Sequence, residues 1–146
     1  ALIAGWGFAH SAAYANLTHD SFISGVVEMK LGRSNELILL EAILANVFVN
    51  IAILSFVLVK DGGAKLWLVL SAIYMFVFLT NEHIAANFAS FAIVKFSVAA
   101  DSIANFGIGN ILRHWGVTFI GNLIGGGLLI GLPYSFLNKN EDTYVD

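Results

Sequence analysis

The sequence predicts an all-α integral membrane fold containing one broken transmembrane helix, and three observations predict it. Hydrophobic residues fill 58% of the 146 positions and charged residues only 12%, with a mean hydropathy of +0.82. Ordinary soluble domains carry roughly a quarter charged residues, and a globule this apolar would lack the polar surface to cover itself. Residues 37–59 form a nearly unbroken apolar stretch, interrupted by Glu41, Asn46, Asn50 and Ser55. At about 1.5 Å per residue it crosses a hydrocarbon core of roughly 30 Å. The apolar stretch over residues 66–79 is too short to cross comfortably, meets Thr80, Asn81, Glu82 and His83, and resumes over residues 84–98. Read as one straight helix it overshoots the membrane; read as two half-helices it sets four polar residues near the midplane.

The remaining elements follow in order. Residues 1–15 are apolar without the basic flank or cleavage signature of a signal peptide, and read as the tail of a helix. Residues 21–31 look like a short amphipathic segment ending near Lys30. Lys60, Asp61, Gly62 and Gly63 break the chain after the first span, and Lys65 with Trp67 restart it at the water interface. Residues 99–114, with Asp101, Ser102, Asn105, Gly107, Gly109, Arg113 and His114, read as a polar-faced helix or loop at the surface. A last span is expected over residues 115–136, whose glycines include two GxxxG spacings that let helix backbones approach closely, within the subunit or between subunits. Residues 138–146 are acidic and read as a disordered tail. The cations divide between the two sides without a clear positive-inside vote.

Several function classes drop out. The chain has no cysteine, hence no disulfide framework, thiolate metal site or Cys nucleophile. A net charge of -3 without a basic cluster excludes nucleic acid as a partner. No HExxH zinc spacing and no GxxxxGK[ST] phosphate loop occurs, so no metal or cofactor is expected and no catalytic constellation is visible.

Glu82 and His83 carry the strongest signal, because adjacent ionisable groups at membrane depth are costly and usually functional. The bland alternative is a pair held by interhelical hydrogen bonds for structure alone. Asn87 lies four residues past His83, and Asn46 and Asn50 share a face of the preceding span. Amides at that depth cap freed backbone or line a pore. Lys30 offers positive potential to an anion, or is a solvated surface lysine. Phe76, seven residues before His83, forms a constriction or an ordinary apolar contact. His19 with Asp20, and Arg113 with His114, read as interfacial polar groups.

The stretch Glu82, His83, Ile84, Ala85, Ala86, Asn87, Phe88 resembles the signature of the formate/nitrite transporter family, a Glu-His pair followed by Ala-Asn in the second broken helix. Residues 44–49 resemble that family's Asn-containing motif in its fourth helix, and residues 120–127 its Gly-Asn-x-x-Gly-Gly motif in the sixth. Lys30 falls where the family places a pore-mouth lysine. The resemblance covers nearly the whole chain but only the second half of the family's fold. It implies one membrane domain over residues 1–146, the end of helix three followed by helices four to six. That is the second inverted repeat of an aquaporin-like bundle, and so a fragment without the first broken helix. It further implies a homopentamer in the lipid bilayer that moves small monovalent anions, formate or nitrite, with protons as co-partners. His83 would be the central pore histidine and proton relay, Phe76 the constriction, Lys30 the anion-attracting lysine, and Glu82, Asn46, Asn87 and Asn122 pore-associated. The expected setting is a multi-pass cell membrane protein, in a bacterial or archaeal inner membrane. Thr80 and Asn81 depart from the Gly and aromatic residue of many members, so a hydrosulfide channel of the same family fits as well. Two other classes stay open: a structural membrane subunit without a transport role, and a membrane enzyme using Glu82 and His83 as acid and base.

Overall fold

Capping residues and breaks divide the described part of the chain into six helices. The computed structural model describes residues 2–14, 16–97 and 100–138, and every regular element among them is helical: α1 (Leu2–Ala9), α2 (Phe22–Leu31), α3 (Asn35–Leu58), α4 (Gly62–Phe78), α5 (Ile84–Lys95), a 3-10 turn at Ala100–Ser102, and α6 (Ile108–Leu137). Ser34 caps α3, its hydroxyl accepting from the Leu37 amide at 3.3 Å. Asp61 caps α4 in the same way, accepting from the Ala64 amide at 2.7 Å. By length and composition, α3 with 24 residues and α6 with 30 are long and apolar enough to cross a membrane.

The helix expected to break does break. α4 ends at Phe78 and α5 begins at Ile84. The Thr80 amide donates to the Val77 carbonyl at 3.0 Å and the Asn81 amide to the Phe76 carbonyl at 3.3 Å. That pair of reversed bonds is a Schellman stop, which turns the chain out of the helix through one residue of left-handed backbone. Thr80 is that residue, with φ 51°. The two halves lean on different partners: α4 packs on α3, and α5 packs on α1, α2 and α6. A small apolar core of Val27, Leu31, Phe91, Val94, Ile103 and Ile111 seals the α5 side.

α6 and α3 approach closely through glycines. A Cβ on Gly121 would lie 2.5 Å from the Ala42 Cβ and 2.8 Å from the Leu39 carbonyl oxygen, and one on Gly125 would strike the Ile43 carbonyl. The Gly121–Gly125 spacing therefore serves contact within the subunit, while Gly127 and Gly131 meet only their own helix. Over Leu123–Gly131 α6 widens into a π-helical stretch.

One segment differs from the sequence expectation. The surface segment is shorter than expected: residues 101–107 are largely exposed around the 3-10 turn, but α6 starts at Ile108 rather than at residue 115, and its first turns carry Asn110, Arg113 and His114 inward. The reason is that the α2–α3 link offers acceptors. The Asn110 amide donates to the Leu31 carbonyl at 3.2 Å, and Arg113 Nη2 to the Leu31 and Arg33 carbonyls at 3.2 and 3.4 Å. Of the expected tail, residues 139–146 lie outside the described residues, and Asn138 closes the last helical turn.

Candidate functional site

A helix interrupted inside apolar surroundings must find partners for the backbone groups it frees. Asn122 on α6 supplies several at once: its Oδ1 accepts from the Ile84 amide at 2.9 Å, while its Nδ2 donates to the Glu82 carbonyl at 2.9 Å and the Ala42 carbonyl at 2.8 Å. One side chain thus ties the first amide of α5, the break and α3 together. Asn46 backs it, donating to the Asn122 carbonyl at 2.7 Å, and Asn50 donates to the Asn46 carbonyl at 2.8 Å.

The carbonyls at the break are held by cations. Lys30 Nζ donates to the Thr80 and Asn81 carbonyls, each at 3.2 Å, and to Glu82 Oε2 at 2.8 Å. Arg33 donates to the Thr80 carbonyl at 3.2 Å and the Thr80 hydroxyl at 3.1 Å, and pairs with Glu82 Oε1 and, at 2.6 Å, with Glu41 Oε2. Glu82 is 0% exposed. Its Oε2 also accepts from Asn87 Nδ2 at 2.8 Å, and His114 Nε2 lies 3.3 Å from its Oε1. A carboxylate at this depth is tolerable because it is paired and hydrogen-bonded on both oxygens; removing one partner from such a cluster costs about 3–5 kcal/mol.

His83 stands apart from that cluster. It is the N-cap residue of α5, half-buried, and its side chain makes no capping bond. Its ring meets Phe76 edge to face with centroids 5.6 Å apart. Glu82 and His83 are therefore adjacent in sequence but separate in role. The carboxylate faces inward to lock the break, and the imidazole is left against an aromatic wall. A cavity of about 200 Å³ opens on the α2 side of the break, lined by Phe22, Val26, Lys30, Phe76, Asn81 and Asn87 among others.

Of the residues singled out from sequence, the structure gathers Lys30, Glu82 and Asn87 in one ion cluster, pairs Phe76 with His83, and sets Asn46 and Asn122 in the polar seam between α3 and α6. Lys30 is 6% exposed rather than solvated. Arg113 with His114 is not an interfacial pair: Arg113 ties α6 to the α2–α3 link, and His114 is 0% exposed against Glu82. Sequence reasoning missed Arg33, Glu41 and His114. Glu41 did carry a signal, since a carboxylate inside an apolar stretch demands a cation at its own depth.

The model of the family described as "Formate/nitrite transporter" matches residues 1–136. The chain belongs to the formate/nitrite transporter family. Among its relatives, the formate-nitrite transporter of Plasmodium falciparum (isolate 3D7) is 29% identical over 120 residues, which are 82% of this chain and 38% of that protein. That of Plasmodium knowlesi (strain H) is 28% identical over 120 residues, 82% of this chain and 37% of that protein. That of Plasmodium ovale is 27% identical over 137 residues, 93% of this chain and 42% of that protein. The chain thus spans less than half the length of these relatives. Membership in a transporter family, with helices apolar enough to span, makes this a membrane protein. These Plasmodium relatives lend no support to the expectation of a bacterial or archaeal membrane.

Proposed function

We propose that this chain supplies the proton-exchanging half of a pathway for small monovalent anions, formate or nitrite, with His83 as the relay. The observation that carries the reading is the position of His83: at the N-terminus of α5, half-buried beside Phe76, and free of the cluster that locks the break. Stripping water from a small anion in an apolar constriction is expensive, while its conjugate acid crosses far more cheaply. An imidazole at the narrowest point that donates a proton, then recovers it, turns the expensive species into the cheap one. The N-terminus of α5 adds partial positive charge at the same place. Lys30 and Asn87 line the approach from the α2 side.

In this reading the chain is the second inverted repeat of an aquaporin-like protomer, and protomers assemble as a pentamer. Hydrosulfide is the runner-up cargo, equally compatible with Thr80 and Asn81 at the break. The test is anion flux into liposomes by the full-length parent protein, with pH set separately on each side. His83→Asn and His83→Phe are expected to lower flux about tenfold or more and to abolish its dependence on the proton gradient. Unchanged flux with unchanged pH dependence rejects the relay and leaves the break a structural device.

A further inference from the structure

The molecule holds a second buried imidazole at the break, which the relay does not use. His114 projects from the first turns of α6 and is 0% exposed, with Nε2 3.3 Å from Glu82 Oε1 and Nδ1 3.5 Å from the Thr118 hydroxyl. Phe91 of α5 covers its face, ring centroids 5.2 Å apart. Glu82 from the break is the carboxylate against it, and the charged groups linked to that carboxylate come from the neighbouring elements: Lys30 from α2 and Arg33 from the α2–α3 link pair with Glu82, and Glu41 from α3 pairs with Arg33. From α5, the neutral Asn87 donates to Glu82 and Phe91 packs on the His114 ring.

We propose that His114 is a positioning residue that acts through Glu82: by taking up a proton it loosens the hold of that carboxylate on Lys30 and releases the Lys30 ammonium toward the adjoining cavity. With a neutral His114, two cations face two carboxylates and the cluster is balanced. A proton on His114 leaves one positive charge uncompensated where solvent cannot screen it, and one cation must move. Arg33 is held by its planar fork on Glu41, Glu82 and Thr80. Lys30 has a flexible stem and already lines the cavity of about 200 Å³. The same step makes that cavity more attractive to an anion, which restores the balance of charge. Proton uptake at His114 thus tunes anion capture, whereas His83 tunes passage.

This inference rests on the transport reading above, and the two are separable by experiment. In liposomes with the full-length parent protein, KM for formate is expected to fall roughly threefold or more from pH 7.5 to pH 5.5, where formate stays ionised. His114→Asn and His114→Gln stay polar but cannot carry the charge; their KM is expected to stay at the high-pH value, with the pH dependence of kcat retained. Lys30→Met is expected to flatten the KM profile as well. A KM profile identical in wild type and both His114 variants overturns the proposal while leaving the relay standing. Independently of flux, histidine-selective nitrogen-15 NMR, with His114→Asn identifying the signal, follows the ring itself. The charged form of the His114 ring is expected to appear over the same pH steps in which KM falls. A ring that stays neutral throughout overturns the proposal even if the parent protein moves no anion, and absence of flux with a titrating His114 counts against the transport reading alone.

Discussion

Thr80 occupies the one position at the break where the chain must take left-handed backbone, and a β-branched residue is poorly suited to it. Its retention has a visible compensation, because its hydroxyl accepts from Arg33 at 3.1 Å. The two effects can be separated by substitution. Thr80→Asn keeps a side-chain acceptor and tolerates φ 51°, so it is expected to stabilise the protein by about 1 kcal/mol. Thr80→Val keeps the strain and loses the acceptor, and is expected to destabilise by about 1–2 kcal/mol. Thermal unfolding in detergent checks both, and equal shifts for the two variants would show that the backbone conformation costs nothing. At this scale the sequence was legible where one residue carried the signal alone. Glu82 and His83 could be read because ionisable groups in an apolar context are expensive wherever they sit. Arg33 and His114 could not, since each looks like an ordinary loop or interfacial residue until the fold brings it to a carboxylate roughly fifty or thirty positions away in sequence, and no local spacing encodes that meeting.

The elements themselves were more legible than their partners. The apolar stretch of residues 37–59 became α3 almost unchanged, and the interrupted stretch became α4 and α5, because length and hydropathy act locally. The start of α6 was misplaced, since polar residues read as a surface signal unless their partners are known; Asn110 and Arg113 spend their donors on the α2–α3 link instead of water. GxxxG likewise announced a close contact without naming its partner. That contact yields a paired test on α6. Gly125→Ala drives a methyl into the Ile43 carbonyl and must push α3 and α6 apart, which strains the Asn46 bond to the Asn122 carbonyl. It is expected to cost about 2 kcal/mol or more, in the range of overpacked cores. Gly116→Ala meets nothing within 4 Å and is expected to gain up to about 1 kcal/mol from helix propensity. Chemical or thermal denaturation in detergent reads both, and a tolerated Gly125→Ala would mean that α6 is not seated on α3 as closely as described.

At the scale of the whole molecule, the question is which way the chain runs through the bilayer, and the fold changes how its cations should be counted. Lys30, Arg33 and Arg113 would ordinarily vote in a positive-inside tally, but all three are spent on side chains and carbonyls within the protein. Orientation must come from topology. α3 is long and apolar enough to cross once, and the exposed Lys60 follows its C-terminal turn. α4 then returns to the level of Asn122, at the middle of α6, and α5 continues from there to the exposed Asp101, before α6 starts back across. α4 and α5 are each too short to span alone, and a single crossing by the pair is expected to leave Lys60 and Asp101 on opposite sides. These 146 residues hold no cysteine, so one introduced among them reports its own position. In sided vesicles holding the full-length parent protein, its native cysteines removed, Lys60→Cys and Asp101→Cys are expected to react with a membrane-impermeant maleimide from opposite faces. Labelling of both from the same face would mean that α5 turns back at the break, which would place His83 at the bottom of a re-entrant dip and deny it access to both solutions, as the relay requires.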